Sequence, residues 1–294
     1  MRSIHFSITT RRDGDLGGVP KFAWYLQRAI GCEVEPMHNA NKFNLNEFDY
    51  IIADGSYINH FLQYKCKKIS IIHGSWKEFC IRNNTNAFLA EAAIQGKAWT
   101  NPGIVTVAVS NSAAKYAIKH HNARIDHIIN NAIDTDVFKP IAHLNVKPVV
   151  IHCAKDYNKT SYNKLDAIME ILLDKFEIRY LNAKDGEEHT KMAQGDVFLS
   201  CSNYEGNSYA VLEAMSCGLP IVGSNVGLFD NIVGNDKNGL IIDYKSTARE
   251  FAYATQMVYK RLSFYNPRQY VLDNANFNTW KETWIKLLGG ESSK

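Results

Sequence analysis

No apolar run in this sequence approaches the roughly 20 residues needed to span a bilayer, so no stretch of it reads as a transmembrane helix. Excess charge of one sign is also missing. The chain has 33 Lys and Arg against 30 Asp and Glu, a formal net charge of +3, too little to argue for a nucleic-acid partner. Cysteine pairs are absent: Cys32, Cys66, Cys80, Cys153, Cys201 and Cys217 lie far apart with no C-x-x-C. That pattern fits reduced thiols and a cytoplasmic setting better than a disulfide frame or a zinc site. No G-x-G-x-x-G follows a predicted strand, which weakens a dinucleotide-dehydrogenase reading. There is no internal repeat and no low-complexity segment. The opening residues read as a first strand rather than a signal peptide.

What is present is an alternation of short apolar runs and helix-period segments. Runs at residues 4–9, 50–54, 69–73 and 104–109 are β-branched and almost wholly apolar, with helices predicted near 19–30 and 111–120. A second series runs through residues 148–152, 178–181, 197–200, 221–223 and 240–243. Strands of this kind, separated by helices, predict parallel sheets covered on both faces. The fold class is therefore α/β, with two doubly wound Rossmann-like units. The break is expected at residues 138–147, giving domains 1–143 and 144–278, with an amphipathic segment at 279–290 packing back on the first. Such sheets bind ligands at the carboxyl ends of their strands, and the cleft between two such units is the expected site.

The most informative stretch is residues 202–230, SNYEGNSYAVLEAMSCGLPIVGSNVGLFD. Glu205 follows the strand at 197–200, and Gly206, Asn207 and Ser208 lead into a helix from about Tyr209 to Ser216. Asn207 or Ser208 can cap that helix, and Gly218 with Pro220 ends it. Backbone N–H groups at Gly206, Asn207, Ser208 and Tyr209, together with the helix dipole, form a site suited to phosphate. Glu213 lies among Val211, Leu212, Ala214 and Met215, where a carboxylate is costly unless it meets a hydroxyl or a cation. A ribose edge supplies two hydroxyls. Against this stands the plainer reading, in which Glu213 sits on an exposed stripe and Glu205 is only a loop acid.

The spacing of Glu205 and Glu213 is E-x7-E, and the block EGNSYAVLEAMSCGLPIV resembles the signature of family 4 retaining glycosyltransferases, which have the GT-B fold. GSNVGLFDNIVGNDKNGLII resembles the loop, helix and strand that follow it there. V-S-N-S at 109–112, NAIDTDVFKP at 131–140 (with Ala132 for the usual glycine) and FNTWKETWIKLL at 277–288 are similar to further family segments. The resemblance implies that Glu205 contacts the donor sugar, that Glu213 binds the ribose, and that the amides of Asn207, Ser208 and Tyr209 hold the diphosphate. It also implies that Gly17 and Gly18, in the first strand-to-helix turn, face the phosphates and the acceptor. His73, at a strand end beside Gly74, is placed by the resemblance near the bond that breaks. It could donate a hydrogen bond there, or its backbone carbonyl could stabilise developing positive charge. Lys155 and Lys159 follow the strand at 148–152 and would neutralise the leaving diphosphate. The family has arginine then lysine here, five residues apart. In this chain the first is lysine and the spacing is four, so Lys164 competes with Lys159.

The resemblance implies a retaining, metal-independent transferase of glycan biosynthesis that moves a hexose or similar sugar. No separate cofactor is needed, since the nucleotide sugar is the donor substrate. The acceptor would be a glycan, a lipid-linked precursor or another hydroxyl compound, with no nucleic acid involved. Peripheral membrane contact stays open. Asp134–Thr135–Asp136 and Asp13–Gly14–Asp15 have the D-x-D form that binds metal in another class of glycosyltransferases. The position of the former in the hinge segment argues against that role, and the latter reads as a solvated loop. Lys65, Lys67 and Lys68 read as a solvated turn, and Trp24, Tyr25, Tyr57, Trp76 and Phe79 as mostly core, though able to stack on a sugar. A catalytically silent nucleotide-sugar or glycan-binding protein, and a GT-B nucleotide-sugar epimerase, remain the alternatives. A phosphorylase would need a pyridoxal-binding lysine region and a much longer chain.

Overall fold

A computed structural model describes residues 1–7, 17–153, 162–181, 188–227 and 236–289. Its contacts divide the chain into two units, residues 1–131 with 278–294, and residues 132–277. Lys155, Lys159, Asp13–Gly14–Asp15 and residues 228–235 of the long motif lie outside the described residues.

The first unit contains strands β1 (Ser3–Ser7), β2 (Glu33–Pro36), β3 (Tyr50–Asp54), β4 (Lys67–Ile72), β5 (Ile104–Ala108) and β6 (His127–Ile128). They form one parallel sheet in the order β2-β1-β3-β4-β5-β6. β1 and β3 are buried along their whole length, as a parallel sheet covered on both faces requires. The edge strands β2 and β6 were not legible in advance. β2 is half-exposed, and β6 is two exposed residues, so neither carries an apolar run.

Helices α1 (Gly18–Ile30), α2 (Trp76–Arg82), α3 (Leu89–Trp99) and α4 (Asn111–His121) cover this sheet. Local chemistry sets their ends. Ser75 Oγ accepts from the Glu78 amide at the start of α2, and Ser110 Oγ accepts from the Ala113 amide at the start of α4. Asn122 closes α4 in the left-handed conformation. The basic knot is spent locally. Lys68 Nζ donates to the carbonyls of Tyr64 (2.6 Å) and Cys66 (2.7 Å), and Lys67 Nζ reaches the Tyr50 hydroxyl at 3.4 Å.

In the second unit, β7 (Val149–Cys153), β8 (Glu177–Leu181), β9 (Val197–Ser200), β10 (Ile221–Ser224) and β11 (Gly239–Ile242) form a parallel sheet in the order β11-β10-β9-β7-β8. Its helices are α5 (Tyr162–Leu172), α6 (Glu188–Ala193), α7 (Tyr209–Ser216), α8 (Ala248–Tyr259) and α9 (Pro267–Asn274). A capping box between Thr247 and Glu250 starts α8. Val150, Leu165, Ile168, Leu199, Val222 and Phe251 anchor the core between α5, α8 and the sheet.

Residues 132–143, placed with the first unit on sequence grounds, belong with the second. Ile133 N–H donates to the Ala275 carbonyl at 2.8 Å, and its carbonyl accepts from the Phe277 amide at 3.1 Å. These bonds tie the segment to the far end of the same unit. The chain then returns to the first unit in α10 (Phe277–Leu287), two residues earlier than expected. The Trp280 and Trp284 rings meet the edge of Phe22 of α1 at 5.8 and 6.1 Å, and Tyr50 Oη donates to the Leu288 carbonyl at 2.9 Å. No described helix is long and apolar enough to cross a membrane.

Because Trp284 is fully buried, Trp284→Ala should cost about 3–5 kcal/mol in urea unfolding. A loss below about 1 kcal/mol would show that α10 is not integral to the first unit.

Candidate functional site

The two sheets share one topology. Counting strands within each unit, both read 2-1-3-4-5, with a sixth strand added in the first. In such sheets the chain leaves strands 1 and 3 in opposite directions, opening a crevice at their carboxyl ends where ligands bind. The crevice falls between β1 and β3 in the first unit and between β7 and β9 in the second.

In the second unit, residues 201–208 lead from β9 into α7. Glu205 is half-exposed, and one of its carboxylate oxygens accepts from Ser202 Oγ at 2.9 Å. The loop after β10 closes on it through Gly227, whose φ is +60°. A Cβ at Gly227 would stand 2.9 Å from both the Cβ and the carbonyl oxygen of Glu205, so only glycine permits this approach. Sequence reasoning missed this role of Gly227.

The helix α7 spans the predicted residues. Ser208 occupies its N-cap position in extended conformation, but no side-chain cap hydrogen bond forms there. The expectation that Ser208 caps the helix through its side chain is therefore corrected. Ser208 points its backbone into the helix without spending its hydroxyl on the first turn. Asn207 and Tyr209 are buried, and Gly206 joins them to Glu205. Glu213 is only 3% exposed, which removes the exposed-stripe reading. Burial, reinforced by the Glu213 charge, pushes the neighbouring Cys217 thiol up to about 12.

At its other end α7 is closed by Gly218 in the left-handed region and by Arg268 of α9. The Arg268 guanidinium donates to the Ser216 carbonyl, to Phe138 O at 3.0 Å and to Thr135 O at 3.1 Å. A cation at a helix C-terminus complements the dipole. This strut was not legible, since Arg268 lies 52 residues beyond Ser216. Asp134 accepts from the amides of Asp136 (3.2 Å) and Val137 (3.3 Å), so this D-x-D forms a turn.

Lys164 of α5 donates to the Tyr244 carbonyl just beyond β11 and lies over the Phe251 ring. Burial lowers its ammonium pKa, with Cys201 and Asp243 pulling the other way. Between β7 and β9, His152 Nδ1 lies 2.8 Å from the Leu199 carbonyl; since a carbonyl only accepts, the proton is on Nδ1.

In the first unit His73 follows β4 directly. Its Nε2 lies 2.9 Å from Oδ1 of Asp54, the last residue of β3. The same oxygen takes His5 Nε2 at 3.0 Å, while Ser7 Oγ donates to Oδ2 at 2.9 Å. Asp54 is 2% exposed. Burial alone would raise its pKa; the charge and hydrogen bond of His5, then those of His73, outweigh it and hold the carboxyl well below the usual range. Phe22 meets the His73 ring edge-on at 5.1 Å. Gly17 is the N-cap of α1 and Gly18 its first residue. Neither His5 nor Asp54 was singled out from sequence, where both sit inside apolar runs. Among the described residues, no three His, Cys, Asp or Glu side chains gather as a metal site, and all six cysteines are unbridged.

Residues 138–261 match the family described as glycosyl transferases group 1. Solved structures with the same architecture include sucrose-phosphate synthase from Thermosynechococcus elongatus (TM-score 0.77, 13% identity, 98% of each chain covered). HepE from Anabaena in complex with UDP-glucose is similar at TM-score 0.73 and 14% identity, covering 98% of this chain and 100% of that one. WaaG, a glycosyltransferase involved in lipopolysaccharide biosynthesis, matches at TM-score 0.70 and 10% identity over 99% and 100%. A search of curated proteins finds no match. At these identities the likeness establishes the GT-B fold. The family match and the neighbours together support a glycosyl-transferring enzyme.

Gly227→Ala should destabilise the chain by about 1–3 kcal/mol, because a left-handed alanine must also displace Glu205. Amide exchange in residues 202–207 should speed up. Unchanged exchange there would show that Gly227 does not brace the Glu205 loop.

Proposed function

We propose that the chain transfers a sugar, with retention and without a metal ion, from a nucleoside diphosphate sugar to a hydroxyl acceptor. The observation that carries this reading is the arrangement around α7. Glu205 is braced at one end by Ser202 and Gly227, and Glu213 is buried within the helix, at the carboxyl end of the second sheet. Glu205 would take hydroxyls of the donor sugar and Glu213 those of the ribose. The amides of Gly206, Asn207, Ser208 and Tyr209 would face the diphosphate. Lys155 with Lys159 or Lys164 would add positive charge. His73 and the Gly17–Gly18 turn belong to the first unit, and their part in the reaction is proposed on the family resemblance. HepE was solved with UDP-glucose, so a uridine diphosphate sugar is the first donor to test.

In this scheme the bond from the anomeric carbon to the phosphate oxygen breaks, and the acceptor oxygen bonds to the same carbon on the same face. The acceptor proton passes to the departing phosphate. Charge grows on that phosphate in the transition state, so fixed amides and cations lower the barrier. A silent binding protein would keep the donor site without turnover. An epimerase would change the sugar without an acceptor.

Glu205→Gln should lower kcat on the order of 100-fold or more, comparable to losing one transition-state stabilising group. Glu213→Gln should act mainly on KM for the donor, roughly 10-fold or more, as expected for loss of a hydrogen bond to a charged group. Both are read by release of the nucleoside diphosphate. Chelator should leave the rate unchanged, and the new bond should keep the donor's anomeric configuration. An inverted product would refute the retaining scheme, and activity lost to chelator and restored by manganese would refute metal independence.

A further inference from the structure

We propose that Asp54, held by His5 and Ser7, is a positioning residue that turns Nε2 of His73 inward and offers only its Nδ1 to a sugar hydroxyl. The catalytic half of this inference rests on the function proposed above. The structural half does not.

The argument follows the hydrogens. Asp54 is ionised, so its oxygens only accept, and each imidazole that meets Oδ1 does so with an Nε2–H. The two histidines then differ in what becomes of Nδ1. His5 is 0% exposed, and its Nδ1 is buried with no partner among the described residues. The hydrogen bond His5 makes is therefore the one through Nε2–H, as an anchor for the carboxylate. The His73 side chain is 21% exposed. Its ring is pinned on one side by Asp54 and on another by Phe22, which the Trp280 and Trp284 rings back in turn. Flipping the ring would break the Asp54 bond. Nδ1 therefore stays on the outer side, at the carboxyl end of β4 and one strand from the β1/β3 crevice. In the neutral ring it is a lone pair, so the ligand group it takes is a hydroxyl hydrogen rather than a phosphate oxygen. The sequence reading left open a donating side chain or a backbone carbonyl at His73; the proposal makes the side chain an acceptor. Among the described residues, Asp54 is the carboxylate that both His5 and His73 meet, and Ser7 also donates to it.

The test has two arms on the full chain. In the first, histidine is labelled with 15N and long-range proton–nitrogen correlations report each tautomer, with His73→Gln assigning the signal. The expected result is His73 protonated at Nε2, with that preference lost in Asp54→Asn. A bare Nε2 in the unmodified chain would overturn the proposal whether or not the protein turns over a sugar. In the second arm, Asp54→Asn should lower kcat on the order of 10- to 100-fold, the usual effect of removing an outer-shell orienting partner, with KM for the donor within about twofold. The Asp54→Asn/His73→Ala double variant should be no slower than His73→Ala alone. Multiplicative losses would show that Asp54 does not act through His73. If Asp54→Asn does not fold, Ser7→Ala takes its place in both arms, with a smaller kcat loss that must likewise vanish in the His73→Ala background. Should the unmodified chain neither transfer nor hydrolyse any nucleotide sugar, the proposed function falls, and the first arm alone decides whether Asp54 sets the His73 tautomer.

Discussion

A carboxylate taken out of water has to be met by donors, and that requirement shapes both units of this chain. The desolvation cost of an unmatched buried ion is several kcal/mol, comparable to the whole stability of a domain. In the first unit Asp54 meets it with two imidazoles and a hydroxyl drawn from β1 and from the residue after β4. Those three donors bridge three neighbouring strands. Their geometry is consequently as rigid as the sheet register, in which Phe6 stands beside Ala53 and Asp54 beside Ile71. In the second unit Glu213 is buried in α7, beside Cys217, where its charge helps keep that thiol protonated. Most residues of α7 are apolar and buried, and Glu213 is the one carboxylate among them.

Topology explains why such groups collect where they do. A parallel strand delivers its last residue to the same edge of the sheet as every other strand, and the next helix starts there. The 2-1-3-4-5 order then opens a crevice at that edge. Asp54 and Ser7 end β3 and β1; the Glu205 loop begins where β9 ends. Polar residues placed at these ends cost the core little, while two positions earlier along the strand they would face apolar layers. His5 is the exception, two residues inside β1, and it is tolerated because its Nε2 is bonded to Asp54.

Strands buried on both faces were legible because burial leaves only apolar, β-branched residues, as at Ile51, Ile52 and Ala53. The span of α7 was legible because Gly206 and Gly218 bracket a short apolar run. Edge strands were not, since β6 has exposed His127 and Ile128 and no pattern to read. The domain boundary was misplaced because Pro140 and Pro148 flank a polar stretch, whereas the real tie is a backbone pair from Ile133 to Ala275 and Phe277 that leaves no mark on composition. Arg268, Gly227 and Asp54 share one feature: their partners are remote in sequence, and each lies in a segment that reads as ordinary helix, turn or strand. Spacing can reveal a helix face. It cannot reveal which side chain crosses from another element to meet it.

The magnitudes also limit what α7 can do alone. A helix end acts on a nearby charge by about 0.3–1 kcal/mol when exposed and up to about 2 kcal/mol when partly buried. Arg268 at the C-terminal end neutralises the pole that would oppose an anion, which favours the upper value. Millimolar affinity already needs about 4 kcal/mol. For the proposed donor the helix field would therefore supply at most half of even weak binding, leaving the remainder to cations, hydroxyl contacts and the base. On this arithmetic the proposed donor site would need its lysines and its two glutamates as well as the helix. Lys164, half-buried and bonded to the Tyr244 carbonyl, would have to give up that bond to join them.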